Sequence, residues 1–453
     1  MTRVLLTSLL AGVLLAGCSK STDTVIALEG ATLLDGAGGR PVEDAIIIIR
    51  NGRIEAVARV NEIKVPKGAQ RIDLVGKTVV PGFIDAHVHL ERWALPRLVA
   101  WGVTSVRDMS DDGDTALAIM RDVNTGAVHG PRVFSAGGMI DGAPATYPHA
   151  TGVRTTEEAR RAVDVRAVAH ADFIKVYTGL TPELLLPLVD EATNLRLRVA
   201  AHLGKTDALT AARAGVSSIE HAAGVVQAAA RNPSLYFRAH DRFLTGWTLE
   251  ESNWAALDAA SLSRVAKALA ATHVALVPTL ALHDAMAHLD DPARANPPGM
   301  DDVPANASSV RDVAGLLKRS GWRTPQFTAF RRGRPRIDRF VLEFKRAGGV
   351  VATGSDAGNQ LLVPGAALHQ EMALLVAAGF TPIEAITAAT RRGAQVLGID
   401  SLGMVAPGRV ADLVVLNRSP IKDISATRDI NRVMIRGRFL TPDSVRAQWR
   451  GRP

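Results

Sequence analysis

Two histidines separated by a single residue, His87 and His89, end a short apolar segment of the chain. Positions i and i+2 of a strand face the same side, so both imidazoles can converge on one point where the strand ends. Neutral imidazole is the commonest metal ligand in proteins, and a metal ion needs several such ligands together. An isolated pair would still favour an ordinary loop with one packed and one solvated histidine. The interpretation therefore depends on the rest of the sequence.

The central part of the chain alternates apolar, strand-like segments with helical stretches, a pattern typical of a parallel α/β fold. Their number predicts a (β/α)8 TIM-type barrel, in which catalytic groups lie at the carboxyl ends of the strands. The eight predicted strands are Val79–Ala86, Val103–Met109, Arg132–Ala136, Phe173–Tyr177, Arg198–His202, Ser217–His221, Val274–Thr279 and Val350–Gly354.

Further candidate ligands occupy equivalent places in four other predicted strands. The fourth strand carries Lys175, the fifth and sixth end in His202 and His221, and the eighth runs into Asp356. Each residue alone has an ordinary alternative: a satisfied core histidine, a surface lysine with a buried stem, or a helix-capping aspartate. Their shared position at one end of the predicted barrel favours a metal site.

Short strand-like segments separated by turn residues fill 24–77, and the same character returns in 401–453. The pair Asn51-Gly52 between two such segments is a strong signal for a β-hairpin. We therefore predict a small β-sandwich domain formed by both termini, with the barrel occupying 78–400.

Residues 1–17 predict a signal peptide, because an apolar core over Val4–Leu15 is too short to span a membrane as a helix. The run that ends in Cys18 resembles a bacterial lipobox, which implies cleavage before Cys18 and lipid attachment to it. Residues 18–23 then form a tether, and Ser19 indicates the outer membrane, facing the periplasm. The alternative is an ordinary signal peptide with an incidental cysteine.

The formal net charge is +8, but no basic motif interleaved with aromatic residues accompanies it. We therefore expect no nucleic-acid partner. The expected partners are a small-molecule substrate and the membrane, which the lipid anchor would contact. A homo-oligomer is a further possible assembly.

Several motifs together resemble the amidohydrolase superfamily, in its imidazolonepropionase-like and prolidase-like branch of metal-dependent hydrolases. The resemblance covers nearly all of the chain after residue 24. The motifs that carry it are Pro81–His89, Phe173–Lys175, Ala201–His202, Ile219–His221, Gly354–Asp356, Leu368–Met372, Thr381–Thr390 and Gly403–Leu413.

The resemblance implies that Lys175 reacts with carbon dioxide and becomes a carbamate that bridges two divalent metal ions. Nitrogen and oxygen ligands without a thiolate suit zinc, and manganese, cobalt and iron are the alternatives. One ion would be bound by His87, His89, the carbamate and Asp356, and the other by the carbamate, His202 and His221. A single-metal site, in which Lys175 lacks the carbamate, is the alternative within the branch. Asp356 would also act as the catalytic acid and base.

These features predict a metal-dependent hydrolase of amide-like bonds in a dipeptide, an N-acyl amino acid or a cyclic amide. A lactonase, carbamate hydrolase or phosphotriesterase using the same site is the first alternative, and a non-catalytic envelope lipoprotein with a structural metal site is the second. We expect Tyr147, His149 and Tyr236 to contact substrate. An aromatic-lined lid is predicted over Tyr236–Trp247, with Trp254 packed against the barrel.

Overall fold

The computed structural model of the protein describes residues 24–109 and 112–449. The predicted signal peptide (1–17), the tether (18–23) and its lipid-attachment residue Cys18 lie outside these residues. The strands are β1 (Val25–Leu33), β2 (Val42–Arg50), β3 (Arg53–Arg59), β4 (Gln70–Asp73), β5 (Thr78–Pro81), β6 (Phe83–Val88), β7 (Val103–Asp108), β8 (Arg132–Ser135), β9 (Met139–Gly142), β10 (Thr151–Val153), β11 (Phe173–Val176), β12 (Arg198–Ala201), β13 (Ser218–Glu220), β14 (Ala275–Val277), β15 (Val350–Val351), β16 (Leu413–Leu416), β17 (Ile430–Ile435) and β18 (Arg438–Leu440).

The α-helices of the central region mostly follow the parallel strands in the chain. In chain order they are α1 (Ala94–Ala100), α2 (Gly113–Asn124), α3 (Thr156–Val168), α4 (Pro182–Asn194), α5 (Ala208–Ala214), α6 (Val225–Ala229), α7 (Pro233–Ala239), α8 (Phe243–Asn253), α9 (Ala259–Ala270), α10 (Leu280–Ala287), α11 (Ser308–Arg311), α12 (Val313–Ser320), α13 (Thr324–Arg346), α14 (Ala366–Ala377), α15 (Pro382–Thr387), α16 (Gly393–Leu397) and α17 (Pro442–Arg446). Among the described residues, no helix has both the length and the apolar character needed to cross a bilayer.

Both ends of the described chain contribute to one mixed sheet of eight strands. Its order is β18-β17-β16-β5-β1-β2-β3, and β4 pairs with β1 outside this path. The predicted hairpin at Asn51-Gly52 joins β2 to β3, and both residues have the positive φ, 50° and 75°, that such a tight turn requires. The four isoleucines of β2, Ile46–Ile49, are all buried, so both faces of this strand are covered.

The central region forms parallel sheets, as its alternating pattern predicts. One sheet has the order β6-β7-β8 and the other the order β10-β9-β11-β12-β13-β14-β15. Backbone hydrogen bonds connect both edge strands of the three-stranded sheet, β6 and β8, to segments of the larger sheet. The amide of Asp172 donates to the carbonyl of Ser135 at 2.9 Å, and the amide of Ala86 donates to the carbonyl of Thr353 at 3.0 Å. The fold is thus a mixed α/β fold built on parallel strands.

Two predicted strands differ from those observed. The segment Val79–Ala86 is divided at Gly82: β5 pairs with β1 and β16 in the mixed sheet, and β6 begins the parallel sheet. The side chain of Thr104 is the reason that this position is glycine, since an added Cβ would lie 2.1 Å from its hydroxyl oxygen. The mixed sheet therefore reaches Pro81, beyond the predicted residue 77.

The predicted third strand, Arg132–Ala136, is followed by a second strand, β9, that the sequence did not suggest. β8 pairs with β7, whereas β9 pairs with β11. Gly137 and Gly138 separate the two strands, and both have positive φ, 60° and 114°. A short break at these glycines lets consecutive segments of chain pair with different neighbours.

Candidate metal centre

The six predicted ligands come together at the carboxyl ends of the parallel strands and line one cavity. His87 lies in β6 and Lys175 lies in β11, whereas His89, His202 and His221 directly follow β6, β12 and β13. Asp356 lies in the loop after β15, five residues beyond the end of that strand. Apart from His89, each is buried. Parallel strands bring these ends together, although the residues are separated by up to 269 positions in the chain (356 minus 87).

The closest approach is among His87, His221 and Asp356, whose ligand atoms lie within 4.8 Å of one another. Asp356 Oδ1 is 3.1 Å from His87 Nε2 and 3.1 Å from His89 Nε2. The ring of His221 is centred 4.5 Å from the rings of both His87 and His202. His87, His221 and Asp356 therefore form a compact cluster, with His89 beside Asp356 and His202 beside His221.

Two of these positions require unusual backbone conformations. Asp356 has a φ of 56° and His221 a φ of 59°, in the left-handed region that residues other than glycine seldom adopt. Such conformations concentrate at functional sites, where the surrounding structure holds them in place. Gly354 permits the close approach of the chain here, because an added Cβ would lie 2.7 Å from the Cβ of His87.

Lys175 is buried among these groups, with 1% of its surface exposed. Burial lowers the pKa of its amine to about 8, against the opposing effect of Glu220. The Nζ atom has no hydrogen-bond partner among the described residues. A buried, partly neutral and unpartnered lysine amine has the properties that carbamate formation requires.

The charge states of the other ligands also suit a metal ion. Burial holds the pKa of His202 and of His221 well below the ordinary value, so both are neutral and have a lone pair to offer. Burial alone would raise the pKa of Asp356, but His87, His89 and His221 together hold it well below its ordinary value. The site therefore combines neutral imidazoles with an ionised carboxylate.

Three buried polar atoms show that these residues fit a metal ion. His87 Nε2, Lys175 Nζ and Asp356 Oδ1 all face the site without a hydrogen bond among the described residues. A buried polar atom without a hydrogen bond destabilises the folded protein. A bound cation would satisfy His87 Nε2 and Asp356 Oδ1 directly, and it would be bound by Lys175 once that residue is carboxylated. Nitrogen and oxygen donors without a thiolate are a ligand set that zinc accepts.

A second layer of residues orients the histidines. Glu220 Oε2 lies 2.7 Å from His87 Nδ1, and its Oε1 accepts a hydrogen bond of 2.8 Å from Arg107. Thr279 Oγ1 lies 2.7 Å from His221 Nδ1, and His283 Nε2 lies 3.1 Å from the carbonyl oxygen of His221. With Nδ1 engaged in this way, the Nε2 atoms of His87 and His221 are directed toward the centre of the site.

Sequence reasoning assigned no role to Glu220 or Arg107. Glu220 directly precedes the candidate ligand His221, and a carboxylate and an arginine in buried strands would have been the available signal. The Arg107 charge holds the pKa of Glu220 to about 2, against the effect of burial. Glu220 is therefore ionised and accepts a hydrogen bond from the N–H at His87 Nδ1.

Of the three predicted substrate contacts, two line the cavity. Tyr147 and His149 both do so, with their rings stacked at 5.4 Å, and Tyr147 also contacts Tyr177, which sequence reasoning missed. Tyr236 does not line it and packs in the main hydrophobic core. The structure therefore does not support the predicted substrate contact of Tyr236.

The position of Tyr236 on its helix explains this correction. Leu235, Arg238 and Ala239 form the face of α7 that lines the cavity, and Tyr236 is one residue off this i, i+3, i+4 face. The aromatic side chains beside the ligands are instead Tyr177 and Phe243, whose rings are centred 4.8 Å and 5.7 Å from that of His202.

The predicted lid is supported in part. Phe243 and Trp247 of α8 line the cavity, so this helix covers one side of it. Trp254 is buried outside the cavity and packs on Phe340 at 6.0 Å, as expected.

Comparison with known proteins identifies relatives of this fold. The model of the amidohydrolase family matches residues 78–440. The N-acyl-D-aspartate deacylase of Alcaligenes xylosoxydans xylosoxydans is 38% identical over 84 residues, which are 17% of this chain and 16% of that enzyme. The chain thus matches less than a fifth of the length of this curated relative.

Solved structures match over almost the entire chain, but at low sequence identity. A bottromycin amidohydrolase superposes with a TM-score of 0.71 at 22% identity, covering 93% of this chain and 88% of that one. A Xaa-Pro dipeptidase with bound methionine in its active site superposes with a TM-score of 0.68 at 21% identity, covering 92% and 100%. At these identities, the likeness establishes the fold.

Proposed function

The chain belongs to the amidohydrolase family, and on this premise we propose that it is a metal-dependent hydrolase that cleaves an amide bond of a small molecule. One observation above all supports the proposal: four histidines, a lysine and an aspartate from five different strands line one cavity, with three buried atoms left unsatisfied. A structural metal site is normally closed by its protein ligands, whereas this one opens into a cavity that admits substrate and water.

We infer that the parallel strands form one (β/α)8 barrel over about 78–400, because hydrogen bonds join both edges of the three-stranded sheet to the larger sheet. We also infer that the mixed sheet bends into a β-sandwich built from 24–77 and 401–453. A single hydrophobic cluster that contains Ile47 of β2 and Leu413 of β16 supports this second inference.

We propose that one ion is held by His87, His89, Asp356 and the modified Lys175, and a second by His202, His221 and the same lysine. The neutral Nζ of Lys175 attacks the carbon of carbon dioxide and loses one proton, which leaves a carbamate anion with two oxygens. When bound, the metal ions polarise the scissile carbonyl and lower the pKa of water, the chemistry that zinc supplies in hydrolases. His87 is held in place by Glu220 throughout.

Asp356 moves the proton. Its ionised carboxylate takes a proton from the attacking water at Oδ2, the oxygen that would stay free when Oδ1 binds a metal ion, and it then donates this proton to the leaving nitrogen as the C–N bond breaks. The low pKa of Asp356 keeps it ready to accept a proton at neutral pH. Tyr147 and His149 line the same cavity, and we propose that they contact substrate.

Substrate panels test the proposal. Metal-loaded protein is assayed on dipeptides, N-acyl amino acids and cyclic amides, beside lactones, carbamates and phosphotriesters, with Asp356→Asn as the inactive control. Turnover of amides that Asp356→Asn abolishes supports the proposal. Turnover confined to lactones, carbamates or phosphotriesters would replace it with the first alternative, and no turnover at full metal occupancy would favour a non-catalytic envelope lipoprotein.

We propose further that the protein is anchored to the outer membrane through lipid on Cys18 and faces the periplasm. The sequence of residues 1–23 supports this location.

A further inference from the structure

The helix α8 buries both of its carboxylates and lines the cavity with several apolar side chains. Its two carboxylates, Glu250 and Glu251, are buried in the protein, where Glu250 pairs with His240 and Glu251 lies 3.0 Å from His283 Nδ1. The side chains that face the cavity are Phe243, Leu244, Thr245, Trp247, Thr248, Leu249 and Ser252. A surface helix normally buries its apolar face, so apolar side chains that line an open cavity indicate an apolar ligand.

Residues that line the cavity occur along most of the length of α8. From Phe243 to Ser252 the helix rises by about 13 Å, at 1.5 Å per residue. Phe243 stands beside the ligand His202, so this wall begins at the metal centre and leads away from it.

A second apolar wall faces the same space. It consists of Leu282 and Met286 of α10, Leu316 of α12 and Trp322, and Trp322 stacks on Trp247 at 5.2 Å. The whole cavity has a volume of about 1600 Å³. Small-molecule pockets usually measure about 300–1,000 Å³, so this cavity has more room than a dipeptide fills. We call the space between these two walls the α8 channel.

Basic side chains lie where α8 begins. Arg238 and Arg242 are exposed residues that line the cavity, and neither has an ion-pair partner among the described residues. Arg242 directly precedes Phe243 at the start of the helix, where the helix dipole also favours an anion. A third cation, Lys205, lines the cavity but is paired with Asp241 at 2.7 Å.

We propose that the substrate is an amphiphilic N-acyl amino acid: its carboxylate faces Arg238 and Arg242, and its extended apolar acyl group lies in the α8 channel. The scissile amide between these two parts then lies at the metal centre beside Phe243. This inference rests on the proposed amide hydrolysis and names its substrate class. A short dipeptide would leave the α8 channel empty.

A chain-length series tests the α8 channel. N-acyl derivatives of one amino acid, from acetyl to dodecanoyl, are compared by kcat/KM through release of the free amino acid. We expect kcat/KM to rise about two- to fourfold for each added methylene and to level off when the chain fills the α8 channel. A flat or falling series would overturn the inference while leaving amide hydrolysis intact. If no member of the series, no dipeptide and no cyclic amide is hydrolysed, the proposed function itself fails.

A pair of leucine variants tests whether the rise in kcat/KM with acyl chain length comes from contacts with α8. Leu249→Ala should lower kcat/KM for the longest acyl group at least fivefold more than for the acetyl compound. Leu186→Ala is the matched control, since Leu186 is 51% exposed on α4 and lies outside the cavity. An equal loss for long and short acyl groups in Leu249→Ala would contradict the assignment.

The arginines are tested with substrates that differ only in charge. Arg238→Gln/Arg242→Gln should raise KM for the free carboxylate by about 10- to 100-fold, the value of a charged hydrogen bond. The same double variant should leave KM for the corresponding carboxamide substrate unchanged. Arg332→Gln replaces an exposed arginine on α13 and should change KM for neither the carboxylate nor the carboxamide. Equal effects on the carboxylate and the carboxamide would overturn the role of the two arginines.

Discussion

Glu220 Oε2 lies 2.7 Å from Nδ1 of His87, although the two residues are 133 positions apart in the chain. Arg107 holds the other oxygen of the same carboxylate at 2.8 Å. This buried pairing sets which nitrogen of His87 faces the metal centre. It therefore links the charge of a residue outside the candidate ligand set to metal binding.

The first prediction follows from this pairing. Glu220→Gln keeps the shape of the side chain but removes its charge, so His87 Nδ1 loses a charged hydrogen-bond acceptor and Arg107 loses its buried ion pair. We expect metal affinity to fall about 10- to 100-fold, as it does when such outer partners are lost. Metal titration of apoprotein measures this effect. Glu343→Gln, which breaks a surface ion pair with Arg339, is the matched control, and equal affinities in the two variants would contradict the role of Glu220.

The second prediction separates metal binding from proton transfer at Asp356. Asn keeps an oxygen ligand and tolerates the left-handed backbone of this position, but it is a far weaker proton acceptor. Asp356→Asn should bind metal and substrate nearly normally and lose about 10²- to 10⁴-fold in kcat, with little change in KM. Steady-state kinetics at saturating metal measures this loss. Full activity would show that another group carries the proton.

The third prediction concerns Lys175. If its carbamate joins the two ions, Lys175→Ala should hold at most one metal per chain and lose nearly all activity. Elemental analysis of the purified protein counts the metal, and a short carboxylic acid added to the variant should restore part of the activity. Lys267→Ala removes an exposed lysine of α9 and serves as control. Two metals and normal turnover in Lys175→Ala would exclude a bridging role.

The fourth prediction is a pH dependence of stability from Glu371. Burial raises the pKa of this carboxyl from 4.5 to about 8, so the folded protein keeps a proton that the unfolded chain has already lost. Its contribution to stability is full below pH 4.5 and is lost as the pH rises to about 8. In Glu371→Gln, the amide oxygen can still accept the hydrogen bond of 2.7 Å from the amide of Ala281.

The free energy of unfolding of Glu371→Gln should therefore increase relative to that of the wild type as the pH rises across this interval. Urea denaturation at a series of pH values measures the difference. Parallel pH profiles for the two proteins would show that Glu371 ionises normally.

The fifth prediction tests the membrane anchor. Cys18→Ala should abolish lipid labelling and move the protein from the membrane fraction to the soluble periplasmic fraction, with activity unchanged. Thr22→Ala, in the predicted tether, is the control that should keep the lipid. A Cys18→Ala protein that stays in the membrane fraction would show that the lipobox interpretation is wrong.

Several features of the protein were determined by local sequence. Alternating apolar strands and helices predicted the parallel α/β arrangement, because burial on both faces gives such strands continuous apolar runs. The placement of His87, Lys175, His202 and His221 at strand ends predicted that they would meet. The residues meet as predicted because the carboxyl ends of parallel strands lie at the same edge of a sheet, whatever the detailed register of the strands.

Only the tertiary structure decided which side chains touch. The pairing of Glu220 with His87 depends on the mutual register of strands far apart in the sequence, and no local pattern encodes it. The same limit explains the misplaced Tyr236: its helix was expected near the cavity, but the rotation of the helix about its axis placed Leu235 on the cavity and Tyr236 in the core. Rotation and register are set by packing against distant segments, so they arise only when the whole chain has folded.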